Sequence, residues 1–494
     1  MEEQPDSLLT LMHPDGVTRR SVVLGSACPE MLCPPFSSPA ADQADLVILA
    51  PSAAECRVAG WLEAAVQRLG KLLAPDGVAY ILVPIWCRWR LGRLLQRQGL
   101  KIETHFVHVP RIAWGNRLVP LAPSIMRYAV RSLLPTSVWK QRVALAAVEL
   151  PWSTAMMDVT LPSVALVARQ SGARPLFLWA FQQRNAAPGG AIISTSWRGL
   201  AGPVVLHLFA EGEQLPSLVG KLNLTNTPAT SREKEAAILL ALGPAARQAG
   251  AVIPEPMLQH IGGKPVLLLA RVGGQSASTL LATQPIMLTT VADLVTTWLE
   301  RWHKSTAQIE LVDDTLLDHW LIGPAASVAR GLEGGQEYLA WLQALSLQVR
   351  GLYVPLVACH NDLVMSNVFV DNQNTIAVID WEMASPRGLP LTDLVYALTD
   401  IAMMAAGGKD RVTAFQACFA PGGHLHPFTD RLRSRLAARM ALPPPVDDLC
   451  FHACWLHHAT NEQRYGKSTD GLPYHQIVQY LAATSTASWT AMEM

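Results

Sequence analysis

One short segment constrains this chain more than any other. Residues 359–382 read CHNDLVMSNVFVDNQNTIAVIDWE and bring together His360, Asp362, Asn367 and Asp380. Two short apolar runs, VFV and IAVID, flank the turn formers DNQN, which predicts a β-hairpin. The hairpin would carry Asp380 back beside Asn367, so we expect a polar loop closed by a hairpin.

These residue types suit phosphoryl transfer. An Asp near an attacking hydroxyl can orient it and accept its proton. An Asn amide oxygen and a second Asp carboxylate are hard oxygen ligands of the kind that Mg²⁺ takes. The transition state is stabilised mainly by positioning and electrostatics, so a metal that neutralises phosphate charge belongs in such a site. The alternative is a polar loop without chemistry, and the spacing of Asp380 argues against it.

The segment resembles the catalytic and metal-binding loops of the aminoglycoside phosphotransferase and choline kinase family. The family pattern H-G-D-x4-N appears here as H-N-D-L-V-M-S-N, and I-D-[WF]-E appears as IDWE. The H-R-D, D-F-G and A-P-E motifs of protein kinases do not occur, which favours a small-molecule kinase. The resemblance covers about residues 191–480. It implies an α+β protein-kinase-like bilobal domain that uses ATP and Mg²⁺ to phosphorylate a small hydroxyl-bearing acceptor.

The resemblance also assigns roles within this segment. Asp362 would be the catalytic base, and His360 would brace its loop. Asn367 and Asp380 would be the metal ligands. Asp393, in PLTDLVYAL, matches a family Asp that holds the catalytic loop through backbone amides.

Residues 191–271 are interpreted as the N-terminal lobe of this kinase. Lys221 lies in the apolar strand LVGKL, and by the resemblance it would reach the α- and β-phosphates. A lysine that snorkels from a strand edge is the alternative. On the next helix, SREKEAAILLALG, we prefer Glu235 to Glu233 as the ion-pair partner of Lys221, because three apolar residues then follow at helical spacing.

Two further nucleotide contacts come from the resemblance alone. Leu269 and Arg271 would present backbone groups to the adenine. Gly199 and Gly202 would belong to the phosphate-covering loop over residues 197–202. That loop lacks a G-x-G-x-x-G pattern, which is the clearest departure from a phosphate-binding motif.

Residues 1–170 alternate apolar strands with helices, which favours a parallel α/β sheet. The run KLLAPDGVAYILVP followed by LLQRQGL resembles the second half of a class I methyltransferase. The cofactor loop is missing, however, since too few residues separate Gly25 from Asp45 to hold another helix–strand–helix unit. We therefore expect a degenerate methyltransferase-like domain over 1–170, a linker over 171–190, and kinase lobes over 191–271 and 272–494.

Composition excludes several classes of function. The chain has 494 residues, half of them apolar, with 39 basic and 39 acidic side chains, so no charge excess favours nucleic acid as a partner. No apolar run is long enough for a transmembrane helix, and the start MEEQPDS lacks the pattern of a secretory signal. Eight scattered Cys fit free thiols, and together these features predict a cytoplasmic protein.

The sequence says least about the identity of the phosphoryl acceptor. From Trp381 to Met494 the chain carries ten acidic and nine basic residues, which does not suit a polycationic aminoglycoside. We therefore expect an acceptor that is neutral, singly cationic or anionic, with a sugar or glycan intermediate as the preferred candidate. Arg431, Arg435 and Arg439 predict a solvated helix face, with peripheral membrane contact as the alternative. A pseudokinase scaffold and a bifunctional methyltransferase–kinase are the competing functions.

Overall fold

The structure is a computed structural model that describes most of the chain. Outside the described residues lie 1–7, Arg19, 29–42, 110–116, 134–162, Asn185, 197–198, 225–229, Lys409, 465–471 and Met494. The chain forms two compact units, Met1–Ala236 with Pro256–Arg271 and Ala237–Glu255 with Val272–Met494. None of the helices in the described ranges has the length and apolar character that crossing a membrane requires.

The first unit is built on one sheet of eleven strands. They are β1 Ser21–Leu24, β2 Ala44–Leu49, β3 Leu73–Pro84, β4 Leu100–Val109, β5 Arg117–Pro120, β6 Ser163–Gln170, β7 Pro188–Ser196, β8 Gly199–Ala210, β9 Leu218–Asn223, β10 Pro256–Ile261 and β11 Lys264–Ala270. The strand order is β1-β2-β3-β6-β4-β5-β7-β8-β9-β11-β10. Strands from 1–170 and from 191–271 therefore share one sheet, and the predicted division of the chain into four segments stays a prediction.

Strand direction is only partly as predicted. Strands β1, β2 and β3 are parallel, as expected for the α/β stretch. Strand β6, which was expected to complete a parallel sheet, instead runs antiparallel to both β3 and β4. A short apolar run indicates a buried strand but not its direction, so the sequence could not distinguish the two arrangements. The methyltransferase-like interpretation of this region stays a prediction.

Helices cover one face of the parallel strands. They are α1 Ala53–Arg57, α2 Trp61–Leu72 and α3 Arg88–Arg97. Val47 and Ile81 lie in the core beneath these helices, whereas Ile48 and Tyr80 lie in the core on the opposite face. Both faces are buried, which explains why these strands read as continuous apolar runs.

The stretch predicted as a linker, 171–190, contributes to the core. Helix α4, Pro123–Tyr128, precedes this stretch. The stretch itself contains the short helix α5, Leu178–Phe181. Phe177, Trp179 and Phe181 are buried, and Trp179 Nε1 donates to the carbonyl oxygen of Leu11 at 3.0 Å. Burial of three large aromatic side chains is a strong driving force, so this segment packs where an exposed connection was expected.

The second unit is mainly helical. After α6 Thr230–Ala249, within which the unit boundary falls, come α7 Ala277–Thr283, α8 Leu288–Thr306, α9 Asp314–Leu317, α10 Gly323–Ala329, α11 Gly335–Val349, α12 Thr392–Ala405, α13 Arg411–Phe419, α14 His426–Arg439, α15 Pro444–Arg464 and α16 Pro473–Glu493. Two three-stranded sheets complete it, one of β12 Gln275–Ser276, β15 Val368–Val370 and β16 Ile376–Val378, the other of β13 Gln308–Leu311, β14 Tyr353–Cys359 and β17 Ser385–Gly388.

The arginine stripe of α14 is not a uniform solvated face. Arg435 Nε lies 2.7 Å from Glu300 Oε1, and its Nη1 lies 3.1 Å from Asp293 Oδ1. Both acids are on α8, so Arg435 joins two helices of this unit. Arg431 sits over the Phe428 ring at 5.3 Å. Arg435 therefore forms two ion pairs, and this helix face has fewer unpaired positive charges than the sequence suggested.

The turn after β1 is closed by the chain itself. Gly25 has φ +95°, and a Cβ there would meet the Ala50 carbonyl oxygen at 2.5 Å. Ala27 N–H donates to that same oxygen at 2.8 Å. The backbone N–H and the hydroxyl of Ser26 both donate to Glu55 Oε2, at 3.1 and 2.8 Å. The groups that would have to contact a cofactor here already bind one another.

This closed turn generates a prediction about the first unit. The full chain is expected not to bind S-adenosylmethionine, because the short connection from Gly25 to Asp45 leaves no ribose-binding strand and Glu55 occupies the donors of the turn. Isothermal titration calorimetry is the measurement, with ATP titrated into the same preparation as a positive control. Micromolar binding of S-adenosylmethionine contradicts the prediction.

Candidate active site

The central loop of the candidate site begins where a buried strand ends. The burial pattern of β14 leaves only Tyr353 exposed, and His360 comes directly after its last residue. Polar residues that follow a buried strand emerge at the edge of its sheet. His360, Asp362 and Asn367 therefore lie on one loop between β14 and the hairpin of β15 and β16.

Tight local hydrogen bonds bring Asp362 and Asn367 together. The Asn367 side-chain amide donates to the Asp362 carbonyl oxygen at 3.1 Å and lies 3.5 Å from its Oδ2. Val364 N–H donates to the Asp362 carbonyl at 2.8 Å, and Asn367 N–H donates to the Val364 carbonyl at 2.9 Å. Two successive turns thus bring the side chains of Asp362 and Asn367, five residues apart in sequence, next to each other.

The predicted hairpin delivers Asp380 to the same loop. Val368 pairs with Val378, and Ile379 N–H donates to the Asn367 carbonyl oxygen at 2.9 Å. Asp380 then adopts φ +68°, a left-handed conformation that Asp tolerates better than most residues. This turns the chain into the 3₁₀ segment Trp381–Met383 directly beyond the loop.

His360 joins the loop to the hairpin. Its Nε2 lies 2.9 Å from the Ile379 carbonyl oxygen, which makes that nitrogen the hydrogen-bond donor. Its Nδ1 then accepts from Asp362 N–H at 3.3 Å. The Trp381 ring packs edge-on against the imidazole at 4.9 Å. His360 is completely buried, so its contacts are with the loop's own framework.

Asp393 anchors the start of the loop. Its Oδ2 accepts from His360 N–H at 2.7 Å, and its Oδ1 accepts from Asn361 N–H at 2.9 Å. Asn361 itself has φ +62°, and its side chain donates to the Met383 carbonyl oxygen at 3.0 Å. Burial raises the pKa of Asp393, and the two backbone donors oppose that rise.

A second anchor, Asp400, was missed by the sequence analysis. Its Oδ2 accepts from Met365 N–H at 2.7 Å, and its Oδ1 accepts from Arg411 Nη2 at 2.7 Å. The Arg411 guanidinium lies over the rings of Tyr396 and Tyr474, at 5.1 and 5.5 Å. One signal was available for Asp400, since it follows Asp393 by seven residues on the same helical face. No sequence signal marks Arg411, because its partners come from other elements.

The electrostatic environment of Asp362 is strongly negative. Burial, which has the largest effect, acts together with the nearby Asp380, Asp400 and Glu382 to raise the pKa of Asp362 to about 7, and Arg411 opposes this rise. An acid in that range exchanges a proton readily near neutral pH. It also sits among carboxylates whose mutual repulsion a cation would relieve.

The first unit holds the predicted lysine–glutamate pair. Lys221 Nζ, on β9, lies 2.7 Å from Glu235 Oε1 on α6. Arg232 Nη1 lies 3.0 Å from Glu235 Oε2, so the buried Glu235 carboxylate forms ion pairs with two cationic side chains. Glu233 instead lies 3.5 Å from His260 Nε2. The choice of Glu235 over Glu233 was correct, while Arg232 was not anticipated.

The other predicted nucleotide residues lie in strands of the same unit. Gly199 begins β8 and pairs with Ser196, and Gly202 lies within β8, whereas residues 197–198 are outside the described residues. Leu269 pairs with both Val219 and Pro256 inside β11. Arg271 follows β11, and its N–H donates to the Ser217 carbonyl oxygen at 3.4 Å. Contact of these residues with a nucleotide stays a prediction.

A cavity of about 700 Å³ opens beside the loop within the second unit. Asn361 and Asp393 belong to its lining, which thus includes the anchored start of the loop. Other lining residues come from α10, α15 and β17 and from the turn Asp318–Ile322; they include Asp318, Trp320, Ser327, Arg387, His457, Asn461 and Gln463.

The family resemblance of the sequence implies acceptor contacts at four residues near the C-terminal end, Trp455, His458, Asn461 and Tyr465. Asn461 lines the cavity, and its Nδ2 lies 3.0 Å from His457 Nε2. His458 also lines the cavity but stacks on Tyr396 at 3.8 Å. Trp455 is completely buried in the core and was therefore the wrong choice. Tyr465 lies outside the described residues.

Comparison with known proteins gave one family match. Residues 206–426 match the sequence model of the phosphotransferase enzyme family. No curated protein matches the chain.

Similar solved structures include three enzymes with named sources. An aminoglycoside phosphotransferase from Alicyclobacillus acidocaldarius is 16% identical, with a TM-score of 0.32 over 62% of this chain and 90% of that one. A macrolide 2'-phosphotransferase from Brachybacterium faecium is 14% identical, with a TM-score of 0.33 over 59% and 87%. A choline kinase from Streptococcus pneumoniae is 13% identical, with a TM-score of 0.32 over 60% and 89%.

The family match begins within β8 and includes Lys221, the whole loop from His360 to Asp380, and both anchoring acids. Residues 206–426 are thus similar to the phosphotransferase enzyme family, in agreement with the small-molecule kinase motifs read from the sequence.

Proposed function

We propose that this chain transfers the γ-phosphoryl group of ATP to a hydroxyl of a sugar or glycan intermediate, with Asp362 as the base. The observation that carries the proposal is the loop geometry around Asp362. Its carboxylate lies beside the Asn367 amide, Ile379 is hydrogen-bonded to Asn367, and Asp380 follows at once. Asp362, Asn367 and Asp380 thus belong to one loop region. The buried carboxylates of Asp393 and Asp400 hold that loop through backbone hydrogen bonds.

The residues present fit a magnesium ion. Asn367 and Asp380 would hold it, and both offer hard oxygen ligands. The charges around Asp362 favour a cation, since Asp380, Asp400 and Glu382 all raise the pKa of its carboxyl group. When bound, the metal would supply charge neutralisation at the phosphates. Lys221, which Glu235 orients, would bind the α- and β-phosphates, and Leu269, Arg271, Gly199 and Gly202 are proposed nucleotide contacts.

Asp362 would orient the acceptor hydroxyl and take its proton. The Asp362 backbone is fixed because its carbonyl accepts two hydrogen bonds and its N–H donates to His360. A raised pKa is useful here, because a base works best when its pKa lies near the working pH. Arg411 limits that rise and keeps part of the carboxyl population ionised.

The cavity beside the loop supports a neutral polyhydroxy acceptor. Asn461, Gln463 and Ser327 offer hydrogen-bonding groups, and Trp320 offers an aromatic surface. The acidic residues that line this cavity are Asp318 and Asp393. Asp393 already accepts hydrogen bonds from two backbone N–H groups. A polycation would need several carboxylates, because each ammonium must exchange water for an anionic partner.

A substitution at each of two acids tests the assigned roles. Asp362→Asn is expected to lower kcat by roughly 10²–10⁴-fold, since it removes the carboxylate base and keeps a side chain of nearly the same size and shape. Affinity for ATP should change little. Asp380→Ala should weaken Mg·ATP binding as well as turnover. The measurements are ADP release with a panel of sugars, amino sugars and amino alcohols, and titration with a fluorescent ATP analogue.

Asp430→Asn, on the exposed start of α14, is the matched control and should behave as wild type. Wild-type transfer by both active-site variants would refute the kinase proposal. No Mg²⁺-dependent turnover in the unaltered chain would favour the pseudokinase alternative.

Arg411 is expected to act as a positioning residue. Arg411→Met leaves the buried Asp400 carboxylate without its cation and loosens the anchor on Met365 N–H. Misplacement of a catalytic loop can cost roughly 100-fold, so we expect a loss of kcat on that order with little change in the KM for ATP. Arg411→Lys should recover part of kcat. A fall in melting temperature without any change in kcat would assign Arg411 to stability alone.

The acceptor class is tested by direct competition. Neutral sugars should be turned over with a higher kcat/KM than polyamines of the kanamycin type, because the cavity offers few free carboxylates. Asp318→Asn should leave the neutral reaction largely intact. A clear preference for the polyamine would refute the sugar assignment while leaving the kinase assignment standing.

A further inference from the structure

Helix α3 and the turn before it carry two tryptophans on the surface of the first unit. Trp86 is 53% exposed and Trp89 is 79% exposed. Every other tryptophan side chain that the structure describes is buried or half-buried. Large apolar side chains that stay exposed together mark a surface that meets something less polar than water.

The tryptophans are part of a longer face. Trp86, Trp89, Arg93 and Arg97 follow at spacings of three, four and four residues, which places them along one side of the helix. All four are exposed, whereas Leu91 and Leu95 on the opposite side are buried in the core of the sheet. We call these four residues the Trp–Arg face.

The stretch of sequence that carries the Trp–Arg face is basic and contains another exposed apolar residue. Val58, at the end of α1, is 57% exposed. Cys56 of α1 and Cys87, which follows Trp86, are buried in the same core cluster, so α1 and α3 lie on the same face of the sheet. Residues 53–101 contain eight Lys and Arg against three acids, although the whole chain has no net charge. Helix α3 itself contains no acid.

Basic and aromatic side chains on one helix face match the interface of an anionic membrane. Indole rings favour the headgroup level, where an apolar body and a polar N–H are both accommodated. Arginine side chains reach the lipid phosphates, and each basic residue near such a surface adds attraction. A lipid surface is deformable and apolar beneath its headgroups, so it accommodates two indoles that are exposed on α3 and on the turn before it.

We propose that the Trp–Arg face docks this chain peripherally on membranes that carry anionic lipids. The proposal is independent of the phosphotransfer chemistry. Its residues belong to neither the loop of Asp362 nor the Lys221–Glu235 pair. It also differs from the arginine stripe on α14, where Arg435 is bound to two acids of α8.

Co-sedimentation of the full chain with vesicles tests the proposal. The chain should sediment with phosphatidylglycerol–phosphatidylcholine vesicles at low salt and far less with phosphatidylcholine alone. Trp86→Ala/Trp89→Ala and Arg93→Gln/Arg97→Gln should each reduce the partition coefficient. For the arginine pair, on the order of fivefold per arginine follows from about 1 kcal/mol each. Melting temperature and ATP turnover in solution should match wild type, because these side chains are exposed.

Arg431→Gln/Arg439→Gln is the matched control, since it removes two exposed charges from another helix. Its partition should equal that of wild type, and an equal loss in this control would overturn the proposal. Absence of vesicle binding at low salt would also overturn it. A single-stranded oligonucleotide serves as the competing probe. If the chain binds it through the same tryptophans and ignores the vesicles, the face serves nucleic acid and the membrane proposal is wrong.

Discussion

Two hydrogen bonds to one buried carboxylate fix the geometry on which the candidate site depends. Asp393 accepts the N–H groups of His360 and Asn361, and this holds the chain where β14 ends. Hydrogen bonds to an ionised acceptor are about twice as strong as neutral ones, which offsets the cost of burying the carboxylate. With the chain held there, Asn361 adopts its left-handed conformation and His360 reaches the hairpin.

Helix α12 then supplies a second point of attachment. Asp393 and Asp400 are seven residues apart, so both project from the same side of the helix and hold the loop at His360–Asn361 and at Met365. Asp362 lies between the two anchors. Of the carboxylates that raise the pKa of Asp362, Asp400 belongs to this helix, whereas Asp380 and Glu382 follow the hairpin, and Arg411 is the cation that opposes their effect. Helix α12 therefore fixes the position of the loop and contributes one of the charges around Asp362.

Sequence reasoning succeeded where the signal is local. The hairpin of β15 and β16, the strands β1 to β3 and the choice of Glu235 all follow from patterns within about 25 residues. It failed where the answer depends on distant partners. The direction of β6 depends on β3 and β4, and the burial of Trp179 depends on Leu11. Arg411 contributes through Asp400 and Tyr474, which no spacing rule connects to it.

The single sheet of the first unit has a physical consequence for the strands around Lys221. Strand β7 pairs with β8 along most of its length, and its other edge pairs with β5 at Leu118 and Arg117. Helix α4 adds a contact on the same strands, since the Tyr128 hydroxyl lies 3.0 Å from His207 Nδ1 on β8. An unpaired edge strand exposes backbone donors and acceptors to any other chain. The N-terminal strands therefore complete the sheet that carries Lys221, and this structural contribution holds whatever chemistry the first 170 residues have lost or kept.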